Sequence, residues 1–391
     1  MEHFLIIQAL CRAALPNGGP AVRKQVERLC EAVRQSGDVR SAQSLDHLLS
    51  HAARASEMAP SKLIQSRQLP VSGEELSRNT PVPVDRETSS PLADILFPET
   101  LPPSMPLFDV ALTTAAESLV QEWRHAESLS AFGVEPTTSC LIYGPPGTGK
   151  TTLALWLARE LNVPAVVARL DGLISSFLGT TARNVGNLFA FANRYRCMLV
   201  LDEFDAVAKI RDDPHEVGEI KRVVNALLQN IDARRKAGIT IAVTNHEGLL
   251  DPAIWRRFEI QLKVPKPGLQ GRLAIARLHL PPIVLEDAAE RLIAWLTEGL
   301  SGAEVETVVK GLKKHYAVNG CEPTSLIDTL RHLVVLSGSR MHADRAHVLT
   351  LEPQAIAQRM VKDESLNFTQ AEIGQILGRD KTTISRWLRA A

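Results

Sequence analysis

Eight residues constrain this chain more than any others: Gly144-Pro145-Pro146-Gly147-Thr148-Gly149-Lys150-Thr151. They fit the pattern G-x-x-x-x-G-K-[ST]. They also lie in the context that pattern needs, after the apolar run Leu141-Ile142-Tyr143 and before a helical stretch, Thr151–Leu161. Glycines lack a Cβ, so successive backbone N–H groups can close around phosphate oxygens. The helix that follows turns its positive end toward the same anion. Lys150 is placed to reach the β- and γ-phosphates of a nucleotide, and the Thr151 hydroxyl to ligate Mg²⁺.

The pattern around this loop predicts an α/β fold. Apolar strand candidates Leu141–Tyr143, Ala165–Val167, Met198–Leu201 and Ile239–Val243 alternate with helical stretches Thr151–Leu161, Thr181–Asn193 and Ile220–Ile231. Such alternation implies a parallel sheet with helices on both faces, here over residues 107–267. Beyond Pro267 the strand pattern stops, and 268–365 read as a helical lid and its extension. Residues 1–65 read as a small helical module, because Val22, Val26, Leu29 and Val33 recur at three- and four-residue steps. Residues 66–106 carry eight prolines and read as a Pro/Ser-rich linker, with a short helix expected near Leu92–Leu96.

Met198-Leu199-Val200-Leu201 runs into two carboxylates, Asp202 and Glu203. A buried strand delivers such residues to the carboxyl edge of the sheet, where open α/β folds bind ligands. Asp202 is expected to hold Mg²⁺ through its water shell. Glu203 is expected to act as general base toward the attacking water. Ile239–Thr244 ends in Asn245, whose amide both donates and accepts and so can orient that water. Arg256 and Arg257 supply guanidinium forks suited to charge on a transferring phosphate. At a domain edge they would serve a neighbour's site. A solvated basic pair is the plainer alternative.

Together these residues resemble the AAA+ ATPases, and within them the AAA group, across roughly 107–315. Gly144–Thr151 with Thr152 is similar to the Walker A segment, and Leu199–Ala206 to Walker B. Asn245 falls at the position of sensor 1. Arg256 and Arg257 fall on the paired arginine fingers. Many members separate those arginines by Pro-Gly, whereas here they are adjacent, which leaves open which one meets the γ-phosphate. Phe177-Leu178-Gly179 resembles the first pore loop, in which an aromatic grips polypeptide without reading its sequence; a buried core aromatic is the other reading. Gly302 and Ala303 resemble the lid motif beside adenine. The resemblance implies a P-loop NTPase core with a helical lid, using ATP and Mg²⁺. It further implies a homo-oligomer, a hexameric ring, that remodels or unfolds a protein substrate by threading. The chain shows no protease motif, since His215-Glu216 lacks a second histidine, so any protease it feeds is a separate subunit.

The end of the chain, 366–391, carries another signature. Gln370–Leu377 and the stretch to Leu388 form two short helical patterns around Gly378. Ile373, Leu377, Ile384 and Trp387 make an apolar seam, while Thr382, Thr383, Ser385 and Arg386 face outward. This resembles DNA-binding helix-turn-helix segments. It implies a DNA-associated regulatory ATPase as the alternative function, although such units also dock proteins.

Whole-chain numbers add exclusions. Lys+Arg and Asp+Glu are both 44, so bulk charge favours neither nucleic acid nor membrane. The five cysteines include no C-x-x-C pair, which argues against a zinc site or a disulfide framework and for a reducing compartment. No stretch approaches the ~18 apolar residues that span a bilayer, and the expected location is cytoplasmic.

Overall fold

The computed structural model describes residues 20–35, 38, 41, 44–45, 70–85, 87–170, 178–206, 217–250, 252–319, 326–337, 343–363 and 368–389. The chain divides into two compact units, Met1–Ser66 and Arg67–Ala391. In the first, helix α1 (Pro20–Gln35) buries Val26, Cys30 and Val33, positions i, i+4 and i+7 of one face.

The second unit is built on a six-stranded sheet in the order β1-β3-β4-β5-β2-β6. The strands are β1 (Asp94–Leu96), β2 (Ser139–Tyr143), β3 (Ala165–Arg169), β4 (Met198–Asp202), β5 (Thr240–Thr244) and β6 (Ile260–Lys263). All pairings are parallel except β1 with β3. Runs such as Met198–Leu201 and Ile241–Val243 are buried throughout, as central strands covered on both faces must be.

The period-two alternation sorts each strand between two layers. Cys140 and Ile142 join Val200 and Ile241 in a core with Trp123 of α2 (Val110–Arg124) and Leu153 and Leu157 of α4 (Lys150–Glu160). A short helix, α3 (Ala126–Ala131), follows α2. Leu141, Leu199 and Leu201 face the opposite layer. There they meet Val185, Leu188 and Phe189 of α5 (Leu178–Arg194) and Leu227 and Ile231 of α6 (Val217–Arg234).

The four expected strands and three expected helices all form. Two strands were not expected. β6 reads Ile-Gln-Leu-Lys and buries only Leu262, so its polar face hid it. β1 occupies the place of the expected short helix at 92–96. Three residues carry no legible period, and the exposed edge of β3 supplies the partner that makes them a strand. The proline-rich stretch itself is packed: Val71, Leu76, Leu92, Ala93 and Leu101 are all buried.

After β6, which follows the short helix α7 (Pro252–Trp255), the described chain is helical. The helices are α8 (Leu269–His279), α9 (Asp287–Leu296), α10 (Gly302–Asn319), α11 (Leu326–Ser337), α12 (Ala343–Thr350), α13 (Pro353–Lys362), α14 (Gln370–Leu377) and α15 (Lys381–Arg389). They share one core that runs from Leu292 and Trp295 through Leu312, Leu330 and Met360 to Ile373 and Ile384. The two last helices therefore pack into the same core as the helices that precede them. Trp295 anchors this core: its indole N–H donates to Asp363 at 2.8 Å and the Arg345 guanidinium stacks 4.0 Å from its ring centre. Thr369 and Glu372 close a capping box on α14, and Gly378 ends it with φ of 62°. A Cβ on Gly374 would lie 2.5 Å from the Arg379 carbonyl oxygen, so only glycine allows this close turn.

Candidate active site

Strand order decides which side chains meet. β5 lies between β2 and β4, and all three run parallel. Their carboxyl ends therefore share one edge. That edge carries the loop Gly144–Gly149 after β2, Asn245 after β5, and Asp202 and Glu203 at the end of β4. Every residue of this group was expected at such an edge, and the fold brings them together.

The loop needs its glycines for separate reasons. Gly144, Gly147 and Gly149 have φ of 145°, 71° and 94°, a region that side chains rarely adopt. A Cβ on Gly144 would also meet the Val264 carbonyl oxygen at 2.1 Å, the backbone just after β6. Gly149 caps α4, whose first residues are Lys150 and Thr151. Thr148 donates its hydroxyl to the Pro145 carbonyl at 2.9 Å, and Lys150 donates its ammonium to the same oxygen at 2.6 Å. Lys150 is thereby held inside the loop it is to serve. Thr152 lies exposed on the first turn of α4.

The Thr151 hydroxyl donates to Asp202 Oδ2 at 3.0 Å. A hydroxyl and a carboxylate so close, beside a loop of backbone N–H groups, form a hard-oxygen set suited to Mg²⁺. Glu203 has φ of 54°, unusual for a residue with a side chain. Such backbone costs about 1–3 kcal/mol and persists where surroundings enforce it. Here the Glu203 N–H donates to Asp202 Oδ1 at 2.9 Å and the next N–H, of Phe204, to the Val243 carbonyl at 2.9 Å. The turn that presents Glu203 is thus pinned to β5.

Asp205 was not anticipated. It is 5% exposed and accepts weakly from the Asn245 N–H and the Thr244 hydroxyl, at 3.4 and 3.5 Å. It joins the β4 turn to the end of β5, and its place three residues after Asp202 was the signal available in the sequence. The Asn245 side chain makes no hydrogen bond among the described residues and is half-buried at the edge.

The lid reaches the loop through the start of α10. The Ala303 N–H donates to the Gly147 carbonyl at 3.0 Å, and a Cβ on Gly147 would meet Ser301 Oγ at 2.8 Å. Glu304 fixes this corner by accepting from both the N–H and the hydroxyl of Ser301, at 2.7 and 2.8 Å. Gly302 and Ala303 therefore stand against the phosphate loop itself.

Arg256 and Arg257 lie elsewhere. The Ser139 hydroxyl donates to the Arg257 carbonyl at 3.2 Å, and Ser139 begins β2. The phosphate loop follows the other end of that five-residue strand, roughly 17 Å away at about 3.3 Å per residue. Both arginines are exposed. Arg257 is ion-paired with Asp232 of α6 at 2.5 Å, whereas Arg256 has no ion pair among the described residues. Phe177 lies outside the described residues, and Leu178 and Gly179 begin α5.

Residues 140–266 match the family model described as ATPase family associated with various cellular activities (AAA). An uncharacterized AAA family ATPase, y4kL, of Sinorhizobium fredii is 39% identical over 218 residues, 54% of this chain and 65% of the relative. The proteasome-activating nucleotidase of Thermococcus onnurineus is 35% identical over 207 residues, 51% of this chain and 52% of its own. That of Pyrococcus abyssi is 35% identical over 199 residues, 49% and 50%. The chain thus spans between half and two thirds of the length of these relatives. No helix among the described residues is long and apolar enough to cross a membrane.

Burial lowers the pKa of Lys150 to about 8, against the pull of Asp202 and Asp205, which favour its charge. A lysine whose folded pKa lies below its unfolded one gives up its proton first in the fold. The cost of burying its charge is therefore present at neutral pH and is relieved as pH rises through about 8. Phosphates in the loop restore the charged form. Nucleotide binding should then take up nearly one proton at about pH 9 and roughly a tenth of one at pH 7, with affinity falling across that range. Calorimetry in buffers of different ionisation enthalpy measures this directly. Equal proton uptake at both pH values would refute the role of Lys150.

Proposed function

We propose that this chain, whose AAA ATPase domain spans residues 140–266, hydrolyses ATP with Mg²⁺ and uses the cycle to unfold protein substrates. The observation that carries the chemistry is the shared edge of β2, β5 and β4, with Lys150, Thr151, Asp202, Glu203 and Asn245 upon it. The backbone of Gly144–Gly149 and Lys150 hold the phosphates. Thr151 and Asp202 would hold Mg²⁺, which would supply positive charge against the phosphates. Glu203 takes the proton of the attacking water, and Asn245 orients that water. Lid residues Gly302 and Ala303 sit on the loop, so nucleotide state is transmitted to the helical region. The use of the cycle on proteins is supported by relatives that bear the name proteasome-activating nucleotidase. The assembly is a homo-oligomeric ring of six whose channel is lined by Phe177, Leu178 and Gly179. It delivers substrate to a protease on a separate chain.

Glu203→Gln should lower kcat for ATP by about 10²–10⁴-fold while leaving ATP binding intact. Phe177→Ala should leave basal hydrolysis near wild type and abolish unfolding of a tagged folded protein. Undiminished turnover in the first variant removes the general base. Undiminished unfolding in the second removes threading through this loop.

The two arginines divide their work in this reading. Arg257 is held by Asp232 within its own subunit, and Arg256 extends to the nucleotide of the next. In rings doped with a minority of Arg256→Ala subunits, hydrolysis should fall by more than the mutant fraction. Doping with Arg257→Ala should act mainly by loosening α6 from the turn that precedes β6. If the two titrations coincide, the division is wrong.

A second reading has one observation in its favour. Thr382, Arg386 and Arg389, at i, i+4 and i+7 of α15, form an exposed stripe, with Arg379 and Lys381 close by. None of these cations has an ion pair among the described residues, whereas Arg291, Arg331 and Arg345 in the neighbouring helices do. Such a stripe in a helix-turn-helix suits the phosphates and groove of duplex DNA. Binding to a fluorescent duplex should weaken steeply with salt, and Arg386→Ala should reduce the salt slope by about one. Absence of binding at low salt excludes this reading and leaves the tail as a protein-docking unit.

A further inference from the structure

The stretch from Val71 to Leu101 winds along the outer edge of the ATPase domain and is bonded to it at successive points. The Ser72 N–H donates to the Ala237 carbonyl at 3.1 Å. Glu74 donates its N–H to the Arg194 carbonyl at 2.9 Å and accepts from the Arg196 N–H at 2.7 Å. Its carboxylate pairs with Arg194 at 3.2 Å. Gly73 has φ of 124°, and a Cβ there would meet the Arg194 carbonyl at 2.6 Å, so the strap lies directly on the end of α5. Further on, Leu92 and Ala93 enter the core beside Val185 and Phe189 of α5, and β1 closes the free edge of β3.

Between these anchors lies a buried polar contact. Asp85 and Asn184 are 3% and 2% exposed. Asn184, in the second turn of α5, donates its amide to Asp85 Oδ2 at 2.5 Å. Asp85 Oδ1 accepts from the N–H groups of Glu87 at 2.7 Å and Thr88 at 3.0 Å, which folds the strap's turn around the carboxylate. The turn is closed by backbone bonds between Asp85 and Ser90 and between Ser89 and Asp85, both at 2.9 Å. A carboxylate buried in this way is expensive unless its donors are kept, so the contact is rigid.

The elements the strap holds are β3 and α5. β3 ends at Arg169 and α5 starts at Leu178, so they are the two ends of the segment that carries Phe177. α5 is gripped near its start through Asn184 and at its end through Arg194, and β3 is gripped along its edge. We propose that Asp85 and Asn184 are positioning residues for substrate handling. They lock the first turns of α5 to the strap, so that force generated at the nucleotide reaches the substrate-gripping segment instead of being lost in sliding of the helix. This rests on the threading reading above. It predicts a defect that depends on load. ATP turnover is set by the residues that follow β2, β4 and β5, whereas the latch ties α5 to the strap, so basal turnover does not need the latch and pulling against a folded substrate does.

The test uses the full chain. Its probe is a stably folded fluorescent protein bearing a long unstructured tail, presented either folded or acid-unfolded. Asn184→Asp opposes two carboxylates and breaks the contact. Basal ATP turnover should stay within about twofold of wild type, and unfolding of the folded probe should fall by about tenfold or more, as loss of a charge-assisted hydrogen bond allows. Handling of the unfolded probe should be unchanged. The double variant Asp85→Asn with Asn184→Asp restores an amide–carboxylate pair in reverse and should recover unfolding. Loss of turnover and unfolding together, or a double variant no better than the single, means that the contact only supports the fold and overturns the proposal. Unaltered unfolding in Asn184→Asp overturns it as well. Should Asn184→Asp fail to fold, Asn184→Ala, which removes the donor without adding charge, is read by the same criteria. Full unfolding activity in Phe177→Ala, by contrast, strikes at threading itself and is told apart from failure of the latch.

Discussion

Three buried strands ending at one edge are the constraint on which the rest depends. β2, β5 and β4 are buried almost throughout and apolar in their centres, so their charged continuations emerge at their ends. Parallel pairing puts all three ends on the same side. The phosphate loop, the amide of Asn245 and the carboxylates of Asp202 and Glu203 then converge without any of them having to bend the fold. The 3.0 Å bond from Thr151 to Asp202 is the direct sign of that convergence, since it joins residues 51 positions apart. The strained backbone of Glu203 is tolerated because both flanking N–H groups are tied down, one to Asp202 and one to β5.

The helical region is attached to this edge at one point of chemical importance. The first turn of α10 rests on Gly147, with Ala303 bonded to its carbonyl and Ser301 packed where a side chain would otherwise be. The start of an 18-residue helix therefore rests on the phosphate loop. That helix packs into the core shared by α8 through α15, so one helix joins the loop to the body of helices. At the other end of the sheet stand Arg256 and Arg257, too distant from their own loop to take part in its chemistry.

Much of the site was legible because its residues are close in sequence and each follows a buried strand. Gly144–Thr151 occupies eight consecutive positions, Asp202 and Glu203 follow an unbroken apolar run, and Asn245 follows the largely apolar stretch Ile239–Thr244. Asp205 escaped notice because its role depends on Thr244 and Asn245, which are 39 and 40 positions away. The turn of the tail was legible too, since Gly374 and Gly378 are glycines for local steric reasons. The strap was not. Its prolines and serines read as a linker, while its burial comes from a handful of apolar residues and from partners on α5 and β3.

What the sequence determined alone is therefore the local chemistry. A phosphate loop, its helix and its acidic strand are specified by residue type and period, which are short-range properties. The tertiary structure decided which distant groups share a neighbourhood: that β5 stands between β2 and β4, that Arg257 is occupied by Asp232 while Arg256 is not, and that Asp85 is closed over by Asn184. Those outcomes depend on burial and on edge backbone groups finding partners. No window of the sequence contains both members of such a pair.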